Sequence, residues 1–248
     1  MNHLCDQRVM GAKRFAKGFG TRAVSTLLND PSRLSGGSVV GRRNKPFKWI
    51  LMGAVMALGL LVQACAPQQA PQESCNFMMS SDQQRISWGP QTPAVLYVDS
   101  SVPAEFFDSI RSAVEHWNQS VGREVLKIGG WTNSYPNENQ DGVNVIYWRK
   151  NSWPDNKDKQ AVTTIYWAAD RLFEADIRIN DVNFDYFSGP TPIANRVDFE
   201  SLILHELGHV LGLSHQEVGA SVMAMRLENA VLRRTPSQKD INDVKCEY

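Results

Sequence analysis

The stretch HELGHVLGLSH, residues 205–215, holds three of the five histidines in this chain of 248 residues. Apolar residues recur at three- and four-residue steps through VDFESLILHELGHVLG, which predicts a helix that begins at an N-cap Asp198. His205 and His209 lie four apart, so their imidazoles stand on the same face of that helix, one turn above the other. Glu206 lies to one side of this face, where it reaches a water on an ion without being a ligand itself.

The third histidine joins this pair only if the helix ends. Six residues at about 100° each would turn His215 well away from His209 on a continuous helix. Gly212 supplies the exit, because glycine readily takes the left-handed conformation that ends helices. Three imidazole nitrogens with one open position make the tetrahedral site that catalytic zinc prefers.

The sequence therefore predicts one Zn²⁺ held by His205, His209 and His215. Glu206 is then the general base for a water that attacks a carbonyl. The alternative is an ordinary helix face, since H-E-x-x-H alone arises by chance in many proteins. The helix register, the glycine exit and the third histidine together favour the metal site.

The stretch also resembles the metzincin metallopeptidase signature H-E-x-x-H-x-x-G-x-x-H at every fixed position. Metzincins carry a methionine turn beneath the zinc, and GASVMAM places Met223 eight residues after His215, the spacing seen in matrixins. ADIRIN and SQKDINDV look matrixin-like as well. The resemblance covers most of residues 94–248 and implies a zinc endopeptidase that acts on proteins or peptides. It further implies that the substrate lies along an edge strand at residues 161–168, and that residues 224–235 wall the pocket beyond the scissile bond.

Some residues depart from the family pattern. Gln216 follows the last histidine, where each metzincin subfamily has its own residue, and Met225 stands where astacins and serralysins have a tyrosine.

His116 is expected to be an ordinary helix residue rather than a ligand of a structural zinc. Structural Ca²⁺ stays open, because aspartate and asparagine are plentiful in the loops. Only nine residues separate Cys65 from Cys75, so no prodomain with a cysteine switch is expected between them.

The segment before the histidines predicts an α+β fold. Five β-rich runs predict strands, and apolar residues at helical spacing predict a helix over residues 102–121. We expect a metzincin-like zincin, in which the active-site helix packs on a twisted, mixed five-stranded sheet. A short C-terminal subdomain with the Met-turn and a final helix in TPSQKDINDVKCEY follows. The five predicted strands are residues 94–100, 124–130, 142–149, 161–168 and 173–180.

Charge and hydropathy divide the chain near residue 65. Residues 1–65 contain 10 Lys/Arg and 2 Asp/Glu, so the remainder, with 16 and 24, has a net charge of −8. An acidic body gives no reason to expect nucleic-acid binding.

The basic segment GRRNKPFK is followed by 14 uncharged residues, WILMGAVMALGLLV. This run suits a signal sequence and falls short of the roughly 20 residues that span a bilayer as a helix.

V-Q-A-C then ends at Cys65 and resembles a bacterial lipobox, whose cysteine is lipidated and becomes the mature N-terminus. An ordinary signal peptide cut nearby and an uncleaved membrane anchor are the alternatives. We expect a basic extension of unassigned fold at residues 1–40, a signal peptide with lipobox at 41–65, a Pro- and Gln-rich tether at 66–74 and a catalytic domain at 75–248. The mature protein is expected to be a monomer in the cell envelope, anchored to a membrane by lipid and facing the periplasm or the cell surface.

Two cysteines remain for the exported domain, Cys75 and Cys246. Exported bacterial proteins meet an oxidising compartment, so we expect a disulfide that fastens the start of the domain to its closing helix. The rival is a zinc-bound Cys75 thiolate, which is disfavoured because ESCNF lacks the switch motif of matrixins.

The alternative function of the protein is a non-catalytic adhesion or scaffold lipoprotein on the same fold. Glu206 argues against it, since a binding module needs no base.

Overall fold

A computed structural model describes residues 4–11, 75–134, 140–217 and 219–248, with the backbone alone for residues 4–11. The predicted signal sequence, Cys65 and the tether lie outside these residues, so their assignment stays a prediction. No helix among the described residues combines the length and the apolar character needed to cross a membrane.

In the described part of the chain, the central sheet is mixed and has six strands. They are β1 (Leu4–Gly11), β2 (Ala94–Asp99), β3 (Leu126–Thr132), β4 (Asn144–Arg149), β5 (Lys159–Ala168) and β6 (Arg171–Asn180). Their order across the sheet is β1-β5-β6-β4-β2-β3. β2 pairs in parallel with β3 and β4, β4 pairs in parallel with β6, and β5 is antiparallel to β6. The five predicted strands are therefore present as β2 to β6. A separate parallel pair is formed by β7 (Tyr186–Phe187) and β8 (Val197–Asp198).

Strand β1 was not predicted. It runs parallel to β5, with Leu4 opposite Lys159 and Gly11 opposite Trp167. The sheet consequently has six strands instead of five. β5 has a neighbour on each side, so the prediction that residues 161–168 form an edge strand is wrong for the described chain. The physical reason is that a bare strand edge offers a row of N–H and C=O groups, and any extended segment can pair with it.

Helix α1 (Phe107–Val121) follows a single 3₁₀ turn, Ala104–Phe106, and packs against β3. It ends at Gly122, whose φ of +84° is the left-handed conformation that favours glycine. Its buried side chains recur at helical spacing and form one stripe, which explains why this segment is an amphipathic helix. The apolar members of that stripe are Ile110, Ala113, Val114, Trp117 and Val121.

Helix α2 (Phe199–Val210) is buried along its whole length, because α1, β5 and β6 surround it. Asp198 is its N-cap, as predicted, and accepts a hydrogen bond from the backbone N–H of Ser201. Two tryptophans lock the helix in place through its backbone carbonyls. The indole N–H of Trp117 donates to Leu204 at 2.9 Å, and that of Trp88 donates to Val210 at 2.7 Å.

Helix α3 (Gln238–Val244) closes the domain and begins with a capping box between Ser237 and Asp240. Val244 is buried, as predicted, whereas Ile241 is only half-buried. Cys246, just beyond α3, forms a disulfide with Cys75. The predicted pairing is therefore present in the structure and leaves no thiolate of Cys75 to bind zinc.

Candidate metal centre

The three histidines of the quoted stretch converge on one point. The Nε2 atom of His205 lies 3.0 Å from that of His209 and 3.2 Å from that of His215, and the last two are 3.1 Å apart. His205 and His209 stand on successive turns of α2. Gly212 turns the chain back with a φ of +95°, as the sequence predicts. A Cβ at Gly212 would lie 2.4 Å from the carbonyl oxygen of Ile86, so no residue with a side chain fits at this position of the turn.

The backbone fixes the tautomer of the two helical histidines. Nδ1 of His205 contacts the carbonyl oxygen of Val222 at 2.7 Å, and Nδ1 of His209 contacts that of Leu213 at 2.8 Å. A carbonyl oxygen only accepts, so each Nδ1 carries the proton and donates it. Each Nε2 therefore presents its lone pair to the common point, as a metal ligand requires.

Burial keeps all three rings neutral. Loss of solvation lowers the pKa of His205 to about 3 and that of His215 to about 4. The same cause, together with the neighbouring imidazoles, lowers the pKa of His209 well below its usual 6.5. Neutral imidazole is the form that binds a metal ion. The site is therefore ready to bind metal without first losing protons at neutral pH.

The donor set fits zinc. A tetrahedral ion with Zn–N bonds of about 2.0–2.1 Å holds its nitrogens about 3.3 Å apart, close to the separations found among the three Nε2 atoms. Three neutral nitrogen donors and no hard oxygen donor favour zinc over magnesium or calcium. Elsewhere in the described residues, no group of three or more His, Cys, Asp or Glu side chains gathers into a second such cluster.

Glu206 is fully buried beside this centre and is held by a residue that the sequence analysis missed. The hydroxyl of Thr163, on β5, donates to Oε2 of Glu206 at 2.5 Å. Thr163 is itself fully buried. Thr163 and Glu206 are 43 positions apart in sequence. The pattern of residues along β5 does not predict that they meet.

The methionine turn packs against α2 at Gly208, between the two helical histidines. Met223 is fully buried, and a Cβ added at Gly208 of α2 would come within 2.2 Å of its sulfur. Asp240 of α3 fixes the turn, because its carboxylate accepts from the backbone N–H of Val222 at 3.0 Å and from the hydroxyl of Ser221. The carbonyl that orients His205 is thus held from the final helix.

Comparison with known protein families agrees with this geometry. The Matrixin family model matches residues 104–248, more than half of the chain. The chain belongs to the matrixin family. Matrixins are zinc-dependent metallopeptidases with a metzincin fold, and the mixed sheet and the histidine cluster are consistent with that membership. Comparison with curated proteins gives no match.

A charged cluster in this matrixin ties the segment after the methionine turn to the start of α2, and it too was missed from sequence. The guanidinium of Arg234 pairs with the carboxylates of Asp198 and Glu200 and donates to the carbonyl oxygen of Gly189. Hydrogen bonding to Asp198 raises the pKa of Arg234 further. His116 lies on α1 beside Glu200, with 3.8 Å between Nδ1 and Oε1, and is not part of the metal centre.

Proposed function

We propose that this matrixin is an endopeptidase that hydrolyses peptide bonds in the bacterial cell envelope or outside it. The observation that carries the proposal is the convergence of three neutral imidazoles, two of them from the helix that also carries the buried Glu206. His205, His209 and His215 would hold Zn²⁺, which supplies a Lewis acid and lowers the pKa of a bound water to about 7.

Glu206 acts as the base. Thr163 holds Oε2 of this carboxylate, which assigns Oε1 to accept a proton from the water that attacks the substrate carbonyl. The carboxyl group then returns a proton to the nitrogen that leaves when the C–N bond breaks. Neither step needs Glu206 to bind the metal, in line with its position to one side of the histidine face.

The substrate is proposed to add to β5 as a further strand, so that backbone hydrogen bonds place its carbonyl at the metal centre. β1 lies along β5 in the full chain, so that edge must first become free. Cleavage before Cys65, as the lipobox predicts, would remove residues 4–11. A signal sequence at 41–65 would also leave those residues on the opposite side of the membrane from the exported domain.

An apolar residue is proposed to follow the scissile bond. Three apolar side chains of the segment 224–235 are exposed, namely Met225, Val231 and Leu232. The alternative is an acidic substrate residue, which the arginines of this segment, Arg226, Arg233 and Arg234, could favour. Arg234 is committed to Asp198 and Glu200, and Arg233 donates to the carbonyl oxygen of Ala224. These contacts favour the apolar preference.

Replacing Glu206 by glutamine tests the proposal, because the side chain keeps its size and loses its basicity. We expect Glu206→Gln to bind one zinc per chain and to cleave a proteome-derived peptide library about 10²–10⁴-fold more slowly than wild type. Glu115→Gln, an exposed position on α1, is the matched control and should cleave normally.

Near-wild-type cleavage by Glu206→Gln would mean that another residue is the base. Wild-type protein that binds zinc and cuts no peptide would instead favour the adhesion or scaffold function. Sequencing of the cut sites tests the apolar preference in the same experiment.

A further inference from the structure

His215 has less local support than the other two histidines. It lies beyond the end of α2 and is only half-buried. His205 and His209 each donate from Nδ1 to a backbone carbonyl, whereas no such bond orients the ring of His215 among the described residues. Its ring position must therefore depend on how firmly its backbone is held.

Asn76 holds that backbone. Its side-chain amide donates from Nδ2 to the carbonyl oxygens of Ser214 and His215, both at 2.9 Å. The backbone N–H of Ser214 in turn donates to the carbonyl oxygen of Asn76 at 2.9 Å. Three hydrogen bonds thus join one residue to the segment that carries the third ligand, across 139 positions of sequence.

Asn76 is itself fixed from α3. The disulfide anchors the preceding residue, Cys75, next to that helix. The backbone N–H of Asn76 donates to Oδ1 of Asp243 at 3.1 Å. The other oxygen, Oδ2, accepts from the side chain of Gln216 at 2.7 Å. Asp243 therefore braces both Asn76 and the residue that follows His215.

We propose that Asn76 is a positioning residue for His215. It fixes the backbone from which the third imidazole extends by holding the carbonyl of His215, whereas the carbonyls of Val222 and Leu213 contact the other two rings directly. This inference rests on the proposed zinc site and adds a residue that lies far from the HELGHVLGLSH motif in sequence. Groups that orient metal ligands are typically worth about 10–100-fold in metal affinity.

The test compares two substitutions of Asn76 with a matched control. Asn76→Ala removes both donors, and Asn76→Asp keeps the size of the side chain but cannot donate to a carbonyl. Asn118→Ala is the control, because Asn118 also makes three hydrogen bonds to backbone, with Val125 and Leu126, far along the chain from the histidines. Zinc affinity is measured by competition with a chelator, and ligand geometry by the visible spectrum of the Co²⁺-substituted protein.

We expect both Asn76 variants to bind zinc about 10–100-fold more weakly than wild type, with a changed cobalt spectrum. Asn118→Ala should lower the free energy of unfolding and leave both metal readouts unchanged. The proposal is overturned if either folded Asn76 variant binds zinc within twofold of wild type, or if Asn118→Ala weakens binding as much. Failure of the zinc site itself is distinguishable, because wild-type protein would then bind no zinc.

Discussion

Gly208 is the position where a single methyl group should test the packing of α2 on the methionine turn. An alanine Cβ there would lie 2.2 Å from the sulfur of Met223, 3.0 Å from its Cε and 3.2 Å from Cζ2 of Trp117. Ordinary carbon contacts are about 3.5–4.0 Å. The thioether would therefore have to move by about 1.5 Å, and both Met223 and Trp117 are fully buried with little space to yield.

The magnitude follows from two opposing effects. Overpacking of a full core costs about 1–3 kcal/mol. Alanine in place of glycine within a helix contributes about 1 kcal/mol of stability. Gly208→Ala should therefore lower the free energy of unfolding by up to about 2 kcal/mol. In a Met223→Ala background the clash with the thioether is gone and only the milder 3.2 Å contact with Trp117 remains, so the same change should raise stability by up to about 1 kcal/mol.

Urea unfolding of the four proteins of this double-mutant cycle, with chelator present to remove metal, measures the effect. We expect a coupling energy between Gly208 and Met223 of about 1–3 kcal/mol, within the range found for residues in contact. A change at Gly208 that has the same effect in both backgrounds, within about 0.5 kcal/mol, would refute the reasoning. The strain would then have to be absorbed by something other than the methionine.

Three further predictions concern other residues. Thr163→Val should lower kcat by about 10-fold or more with zinc content unchanged, since hydrogen bonds to charged groups are worth about 1.5–3 kcal/mol; Thr163→Ser, which keeps the hydroxyl, should stay active, and equal losses in both variants would contradict the assigned role. Burial raises the pKa of Glu174 above 4.5, so the folded protein retains a proton that the unfolded chain loses, and stability should fall as pH rises above about 4.5. Glu174→Gln should remove this loss. If the free energies of unfolding of the two proteins, measured in urea, change in parallel between pH 4 and 8, the prediction is contradicted. Cys65 should carry lipid at the mature N-terminus, which mass spectrometry of protein extracted from the envelope would detect, and an unmodified N-terminus elsewhere would exclude the lipobox.

Local spacing was sufficient to predict α2 and the convergence of its histidines. A helix fixes which residues share a face, and Gly212 marks where the chain must leave it, so both features depend on a few consecutive residues. The disulfide was predictable for a different reason. With Cys5 and Cys65 assigned to the leader, Cys75 and Cys246 had only each other.

Contacts between distant segments were beyond the same reasoning. Thr163 and Thr164 are neighbours on β5, and only the register and twist of the sheet decide that Thr163 reaches Glu206 while Thr164 contacts Arg178. Asn76 follows the predicted tether in sequence, and no pattern relates it to His215. β1 pairs through backbone groups that every residue possesses, so its sequence carries no specific signal.

Helix α3 supplies none of the proposed ligands, yet it sets the surroundings of two of them. Asp240 accepts a hydrogen bond from Val222, whose carbonyl orients His205. Asp243 accepts one from Asn76, whose side chain donates to the backbone carbonyl of His215. The two aspartates are three residues apart and both buried, so one face of a single helix reaches both segments. A helix of seven residues would not persist alone in water; this one begins with a capping box, buries Val244 in the core and lies next to the disulfide. The order of the metal centre therefore depends on an element that contributes no atom to it.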